Sequence, residues 1–390
     1  MDRTDRSPLE FEPTIEEAYT LSKSLLFVTG TRADFGKLEV LARAAHGAGF
    51  EVTFFVTGMH MLYEYGLTKI EVHRLPGIEV YEFLNQRPSD SQDQILAKTI
   101  MGFSDYVLET HPDLIVVHGD RVEAIACSLV AATNYIPLAH IEGGEISGTI
   151  DELFRHCNTK LALHHFVSSE GAARRVRALG ESAASIHVIG SPELDVHATA
   201  SGVHISDVRE RYALTDEVFG ICIFHPVTSE ADEMAQQADA LFSTLEASQR
   251  SFVVIAPNND PGSEAIRNRI KALPARFRVL PSMRFAHFSE MMKHAACLIG
   301  NSSAGVREAP FVGLPSLDIG SRQTARSETD WPLTVSPFDH EAINAFLTTW
   351  WGRRRTPETQ FGHGESARRF VEVIQNPSFW DQPLQKIFHD

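Results

Sequence analysis

Short apolar runs, each closed by a turn and followed by a segment of helical length, recur along this chain in two sets. That alternation leaves few folds open. From residue 24 the order is strand (25–29), glycine turn, helix (37–48), strand (52–56), and from 219 it starts again with strand (219–224), helix (229–246), strand (252–256), helix (263–273) and strand (277–280). Apolar strands alternating with helices build a parallel sheet with crossover helices, so the fold class expected is α/β with two doubly wound units. A length of 390 residues is enough for two separate cores. The organisation expected is a polar lead-in at 1–23 with a short helix at 15–22, a first unit at 24–192, a linker region at 193–216, a second unit at 217–365 and a helical segment at 366–390.

The stretch 118–156 carries the densest chemistry. It reads HGDRVEAIACSLVAATNYIPLAHIEGGEISGTIDELFRH and places Asp120, Glu142, Glu145, Asp151 and Glu152 after two consecutive apolar strands, 114–117 and 136–141. Adjacent parallel strands deliver the turns at their carboxyl ends to one crevice, where ligands of open α/β sheets bind. The acids are therefore expected to converge. Carboxylates crowded together cannot all ionise at neutral pH, and their pKa values separate into an acid and a base. Glycines at 119, 143, 144 and 148 let backbone approach a ligand and reach positive φ.

Charge and composition remove several function classes. The formal net charge of −16 gives no basic footprint for nucleic acid or an anionic membrane. The four cysteines are far apart with no CxxC pair, which suits structural thiols in a reducing compartment. No stretch reaches the length of a membrane span and residues 1–23 lack a signal-peptide pattern, so a cytoplasmic chain is expected. The eighteen histidines show no HExxH and no other metal-ligand spacing, so no metal is implied. His164 and His165 enter a strand together and should point to opposite faces, as packing and polar satisfaction. No GxGxxG follows a strand and no P-loop occurs, so neither nucleotide fingerprint is present.

Three further turns suit an anionic ligand. GTRADFGK places Arg32 and Lys37 beside a helix start, where orphan N–H groups and the helix dipole favour negative charge. LIGNSSAGVREA runs from a strand into Ser302, Ser303 and Gly305, hydroxyls and N–H groups able to cradle a phosphate, with Arg307 and Glu308 following. Glu308, one turn in, is placed to accept from a sugar diol. The next strand, 315–319, leads to Gly-Ser-Arg322-Gln, and two arginine-bearing turns on adjacent strand ends suit a pyrophosphate.

With these residues in view, the sequence resembles the hydrolysing UDP-N-acetylglucosamine 2-epimerases of sialic acid biosynthesis and relatives acting on UDP-2,4-diacetamido-2,4,6-trideoxy-glucose in legionaminic-type pathways. The resemblance spans about 25–327 and rests on GTRADFGKL, VTGMH, PDLIVVHGDR, HIEGGEISGTIDE, RHCNTKL, GSPELD, FHPVT, PNND-GS, IGNSSAGVRE and GSRQ. It implies a GT-B-like architecture, two Rossmann-like domains facing a central cleft. It also implies Asp120, Glu142 and Asp151 as acid/base carboxylates, and Arg32, Arg121, His225, Ser302, Ser303, Gly305 and Arg322 as diphosphate contacts. Asn258 and Glu308 match ribose-binding positions, and Ser282 falls in the stretch 281–285 matched to uracil-reading backbone. Neither cofactor nor metal is implied, and the partners are a UDP-sugar substrate and a second copy, as a homodimer or homotetramer. The animal bifunctional form appends a kinase domain, and no kinase activity is expected of this chain.

The implied reaction converts UDP-GlcNAc and water to UDP and N-acetylmannosamine. The C2 proton of an intact substrate is not acidic, so UDP would leave C1 as that proton is removed, giving a C1=C2 glycal. One carboxylate takes the proton and another delivers it to the opposite face while water adds at C1. The alternatives are the same reaction on the diacetamido-trideoxy sugar, a GT-B glycosyltransferase, and a non-catalytic UDP-sugar sensor. The cluster of acids speaks against the last two.

Overall fold

Two all-parallel sheets wound in the same order account for the architecture of the computed structural model, which describes residues 22–146, 150–257, 260–324, 326, 327 and 329–389, with backbone alone at 150 and 151. The helix expected at 15–22 lies outside the described residues, Ser22 apart.

The first sheet contains β1 (Ser24–Thr29), β2 (Glu51–Val56), β3 (Glu79–Glu82), β4 (Leu114–His118), β5 (Leu138–Ile141), β6 (His164–Val167) and β7 (Ile186–Val188), in the order β3-β2-β1-β4-β5-β6-β7. The second contains β8 (Gly220–Ile223), β9 (Phe252–Ile255), β10 (Phe277–Leu280), β11 (Leu298–Gly300), β12 (Ser316–Ile319) and β13 (Leu333–Val335), in the order β10-β9-β8-β11-β12-β13. In both, the winding reverses beside the first strand. Leu25 pairs with Leu114 between β1 and β4, and Leu298 with Ile221 between β11 and β8. A ligand crevice opens at such a reversal, beyond the strands' carboxyl ends. The doubly wound α/β class read from the sequence is therefore present twice.

Local chemistry explains where elements depart from the pattern reading. The first helix runs Arg32–Gly47, five residues earlier than expected. Thr31 and Asp34 form a capping box there, each side chain accepting from the other's backbone N–H, so the helix starts inside the GTRADFGK turn. The segment expected as one helix at 229–246 begins as a 3₁₀ turn, Thr228–Glu233, and becomes α-helical only over Met234–Ala247. After β11 the helix divides into Ser303–Val306 and Glu308–Phe311, with Arg307 at the break (φ −108°, ψ −55°). Strands β3 and β13 were not anticipated: both are short and partly exposed, which blurs an apolar run.

Each sheet is buried under its own helices, and the last helices return to the first sheet. Phe370 and Ile374 of the helix Ser366–Ile374, with Phe379 beyond it, share the core of Phe27 and Phe54. The Phe27 and Phe370 ring centroids are 6.3 Å apart. A fully buried aromatic of this kind contributes about 2–3 kcal/mol. The start of that helix is held by Asp195, which accepts from Ser366 N (2.8 Å) and Ala367 N (2.7 Å). His164 and His165 point to opposite faces as expected: His164 stacks on Phe379 at 3.7 Å, and His165 Nε2 meets Glu181 at 3.1 Å. All four cysteines are free thiols. Among the described residues no helix is long and apolar enough to cross a membrane.

Candidate active site

The crevice of the first sheet is shaped by the turns after β4 and β5, which His140 ties together. Its Nε2 donates to Gly119 O (2.8 Å) and its Nδ1 meets Thr159 Oγ1 (3.1 Å), while Asn158 donates to the same carbonyl at 3.1 Å. Burial pushes the His140 imidazole down to about 3, so the ring is neutral. Beyond β5 the chain turns sharply, with positive φ at Glu142 (66°) and Gly144 (76°). Gly144 must be glycine: a Cβ there would stand 2.3 Å from Ala172 O.

This turn delivers Glu142 and Glu145 into a buried ionic cluster. Glu142 Oε1 lies 2.7 Å from Lys37 Nζ and is ion-paired with Arg307, and its Oε2 lies 3.2 Å from His118 Nε2. Glu193 lies 3.5 Å from Lys37 and 3.3 Å from Arg307. Glu145 lies 2.8 Å from Arg307 and accepts from Ser168 Oγ. Burial alone would raise the Glu142 carboxyl, but Arg307, Lys37 and His118 outweigh it and hold the group well below the usual carboxylate range. For Glu193 too, burial and neighbouring Glu142 push up, and Lys37 and Arg307 prevail. Neither carboxyl of this pair is raised, because Lys37 and Arg307, cations from outside the stretch 118–156, offset both burial and repulsion.

Behind the carboxylates stands a set of guanidiniums. Asp120 is ion-paired with Arg155, whose other Nη donates to Glu145 O (3.1 Å). Burial, and then the charges of Arg326, Arg307 and Arg322, push Arg155 well below the ordinary arginine range. The same causes, burial followed by Arg307 and Arg322, lower Arg326 to about 10. Arginines close enough to disturb one another create a positive potential that an anion relieves.

The second sheet supplies the facing wall. Asn301, just after β11, brackets His225: its Oδ1 accepts from His225 N (2.7 Å) and its Nδ2 donates to His225 O (2.8 Å). Asn301 O accepts in turn from Arg322 Nη1 (3.2 Å) and Gln323 Nε2 (2.7 Å). Burial and Arg322 lower the His225 imidazole to about 3. Ser302 caps the short helix holding Ser303 and Gly305. Glu308 is buried and meets His197 Nε2 at 3.1 Å.

Several side chains reach across from one sheet's unit to the other. Arg32 Nη1 donates to Ser282 Oγ at 2.6 Å while its Nε donates to Glu71 at 3.0 Å. Arg121 lies 3.7 Å from Asp260, and Arg326 Nε donates to Ile146 O at 2.6 Å. The structure therefore gathers Asp120, Glu142, Arg32, Arg121, Ser282, His225 and Arg322 around facing strand ends. Asn258 lies outside the described residues. Asp151 falls in the helix Ile150–Leu161 with its side chain outside them, and Glu152 lies 3.4 Å from His156, one turn along that helix.

Some members of the cluster escape a sequence reading. Arg307, grouped there with Arg322 as a pyrophosphate contact, is instead turned onto three carboxylates from the junction of two short helices. Glu193 was expected in a linker, although its position directly after a strand and glycine turn is a usable signal. Glu123, buried with neither carboxylate oxygen hydrogen-bonded, and Glu71 carry no sequence signal. Among the described residues no group of three or more His, Cys, Asp or Glu side chains is arranged to hold a metal ion.

Comparison with known proteins places this geometry in context. Residues 43–375 match the family model described as UDP-N-acetylglucosamine 2-epimerase. A UDP-N-acetylglucosamine 2-epimerase of Neisseria meningitidis serogroup B is 41% identical over 377 residues, 94% of this chain and 99% of that protein. A UDP-N,N'-diacetylbacillosamine 2-epimerase (hydrolyzing) of Legionella pneumophila is 29% identical, over 93% of this chain and 98% of that one. The fold matches the crystal structure of UDP-GlcNAc 2-epimerase from Neisseria meningitidis bound to UDP-GlcNAc with a TM-score of 0.74 at 17% identity, covering 90% of this chain and 99% of that one.

Proposed function

The chain belongs to the UDP-N-acetylglucosamine 2-epimerase family, and from that premise we propose that it is a hydrolysing member, converting UDP-GlcNAc and water to UDP and N-acetylmannosamine. The observation that carries this reading is the pairing of two unlike layers in one cleft. Buried Glu142 and partly buried Asp120 stand against guanidiniums of Arg155, Arg322 and Arg326 close enough to disturb one another. Departure of UDP from C1 places negative charge on the diphosphate, and preorganised cations act most strongly where charge develops in a site closed to water. Arg32, Arg121, Arg322, His225 and the Ser302–Ser303–Gly305 turn are the diphosphate contacts in this reading, Asn258 and Glu308 hold the ribose, and Ser282 lies beside the uracil.

Glu142 is held ionised at neutral pH, the state a base needs to take the C2 proton. A second carboxylate, from Asp120 and Asp151, returns a proton to the opposite face of the glycal while water adds at C1. The hydrolysing outcome is favoured by GTIDELFRH after the HIEGGE turn and by the full-length similarity to the Legionella protein, whose name carries that term. That same similarity favours UDP-2,4-diacetamido-2,4,6-trideoxy-glucose as the second reading of the substrate.

Proton NMR with each UDP-sugar in deuterated water tests the proposal. Release of UDP with a manno-configured sugar deuterated at C2 is the expected result. UDP release with retained C2 hydrogen and gluco configuration would reduce the protein to a nucleotide-sugar hydrolase, and formation of an intact UDP-manno sugar would make it non-hydrolysing. Asp151→Asn and Glu142→Gln are each expected to abolish turnover while leaving UDP affinity nearly unchanged.

A further inference from the structure

Arg307 is the hub of the buried cluster, yet it comes from the opposite side of the cleft. It follows β11 of the second sheet, 165 residues from Glu142 and 114 from Glu193 in sequence. Its side chain is only 2% exposed and reaches Glu142, Glu145 at 2.8 Å and Glu193 at 3.3 Å. Phe361 lies 5.2 Å from the guanidinium and Ser191 Oγ 3.3 Å from Nη1. Both terminal nitrogens are thus occupied by groups of the first unit and its connecting helix. A planar fork of donors suits this bidentate task, which a point charge such as an ammonium performs less well.

Without Arg307, the cations nearest Glu142 and Glu193 would be Lys37 and His118, with the charge of Arg326 farther off, and Glu142 and Glu193 repel one another through the shared space beside Lys37. Buried like charges separate or take up protons. Glu142 also stands on a backbone of positive φ, a conformation that persists only where its surroundings hold it. The arrangement therefore depends on the second unit being closed onto the first.

We propose that Arg307 is a positioning residue for the reaction, the side chain through which the second unit fixes Glu142, Glu145 and Glu193, so that the base is correctly aimed only in the closed cleft. This rests on the hydrolysing epimerase reading above. It separates Arg307 from the arginines that serve the diphosphate, since its donors are directed to carboxylates. Loss of Glu142's principal cation also raises the carboxyl toward its ordinary range, so Glu142 protonates at higher pH when Arg307 is removed.

The test is Arg307→Ala in the full-length protein, with Arg307→Lys beside it. Misplacement of a base by about an ångström costs on the order of 100-fold, so kcat of Arg307→Ala is expected to fall by about that factor, with UDP affinity held within about threefold. The acidic limb of its kcat profile moves to higher pH, and added guanidinium ion restores part of the rate. Arg307→Lys, which keeps the charge but not the fork, falls between the two and stands in if the alanine variant does not fold. A parallel loss of UDP affinity and kcat would overturn the proposal, as would an unmoved acidic limb. If the wild type turns over neither UDP-sugar, the reading of function fails instead. Titration of the Glu142 carboxyl by carbon-13 NMR then decides the positioning role, supporting it if the midpoint rises in Arg307→Ala and overturning it if not.

Discussion

Lys37 Nζ stands 2.7 Å from Glu142 Oε1 and 3.5 Å from Glu193 Oε1, so one ammonium from the first helix serves two carboxylates delivered by different strand ends. The capping box at Thr31 and Asp34 makes this possible, because it begins the helix early enough to put Lys37 on the face turned to β5. A local hydrogen-bond pattern thereby bears on the electrostatics of Glu142, 105 positions away.

Removing that ammonium should be felt in both stability and pH dependence. Burial pushes Glu142 up and its cations bring it below the ordinary range, so its ionisation stabilises the fold above the unfolded carboxylate pKa, and this is lost as pH falls through the lower folded value. Lys37→Met raises the folded value, so the stabilisation shrinks at neutral pH and disappears earlier on acidification. With Arg307 and His118 still in place, the expected loss at pH 7 is about 2–3 kcal/mol, below that of a pair left wholly uncompensated. Urea unfolding at neutral and mildly acidic pH measures it, and equal stability of the two proteins at pH 7 would contradict the account.

Arg32 joins Glu71 of its own unit to Ser282 of the other, and it is partly open to solvent. Partly exposed ion pairs contribute little, so Arg32→Ala should change stability by less than about 1 kcal/mol. If Arg32 contacts the diphosphate, the same substitution weakens UDP by about 10-fold, the worth of one charge-assisted hydrogen bond. Calorimetric titration with UDP separates the two effects. Ser282→Ala removes only the bridging hydroxyl and should leave UDP affinity close to that of the wild type.

Acid stability should depend on a second cluster, around Glu181. Burial pushes Glu181 up, but His165, Lys160 and Lys386 lower it to about 2, against 4.5 for a free side chain. A depressed folded value stabilises above the unfolded pKa and is lost as pH falls, here between 4.5 and about 2. Glu181→Gln should therefore cost about 3 kcal/mol at pH 7, with the difference from wild type vanishing near pH 2. Buried His164 and half-buried His187, lowered to about 3 and about 4, must be neutral in the fold, so wild-type stability starts to fall once pH drops below 6.5. Chemical unfolding at a series of pH values checks both, and a Glu181→Gln penalty that persists at pH 2 would exclude the Glu181 linkage.

Both sheets and the location of the crevice were legible because they arise from local pattern: apolar runs of strand length and glycine turns. Asp120, Glu142 and Arg322 were legible for the same reason, since each lies just beyond a strand. Arg307 was seen as an anion contact but not as the partner of Glu142, because a pairing over 165 residues is set by how two units face one another and leaves no trace in spacing. Glu71 belongs to the short helix Lys69–Val72, with no motif to mark it, and is joined to the cleft through Arg32 and Arg284. The paired carboxylates suggested mutual repulsion as the controlling force, and the cations that reverse the outcome came from the helix Arg32–Gly47 and the break after β11.

Gly119 and Gly144 allow conformational strain to be separated from steric collision. Both have positive φ, 67° and 76°, so alanine is strained at either by about 1–2 kcal/mol. At Gly119 an added Cβ meets nothing within 4 Å, and strain is the whole cost. At Gly144 it would stand 2.3 Å from Ala172 O and 2.8 Å from Val176 Cγ2, on the helix Glu170–Ala178, whose Arg175 donates to Gly144 O. Backbone cannot yield as a flexible side chain does, so overpacking adds about 1–3 kcal/mol and the Gly144→Ala total reaches about 3 kcal/mol or more. The displaced turn carries Glu142 and Glu145 with it, and kcat should fall even where the variant remains folded. Equal unfolding free energies for Gly119→Ala and Gly144→Ala would show that the close approach to Ala172 is relieved at no cost, and that the turn does not rest on that helix.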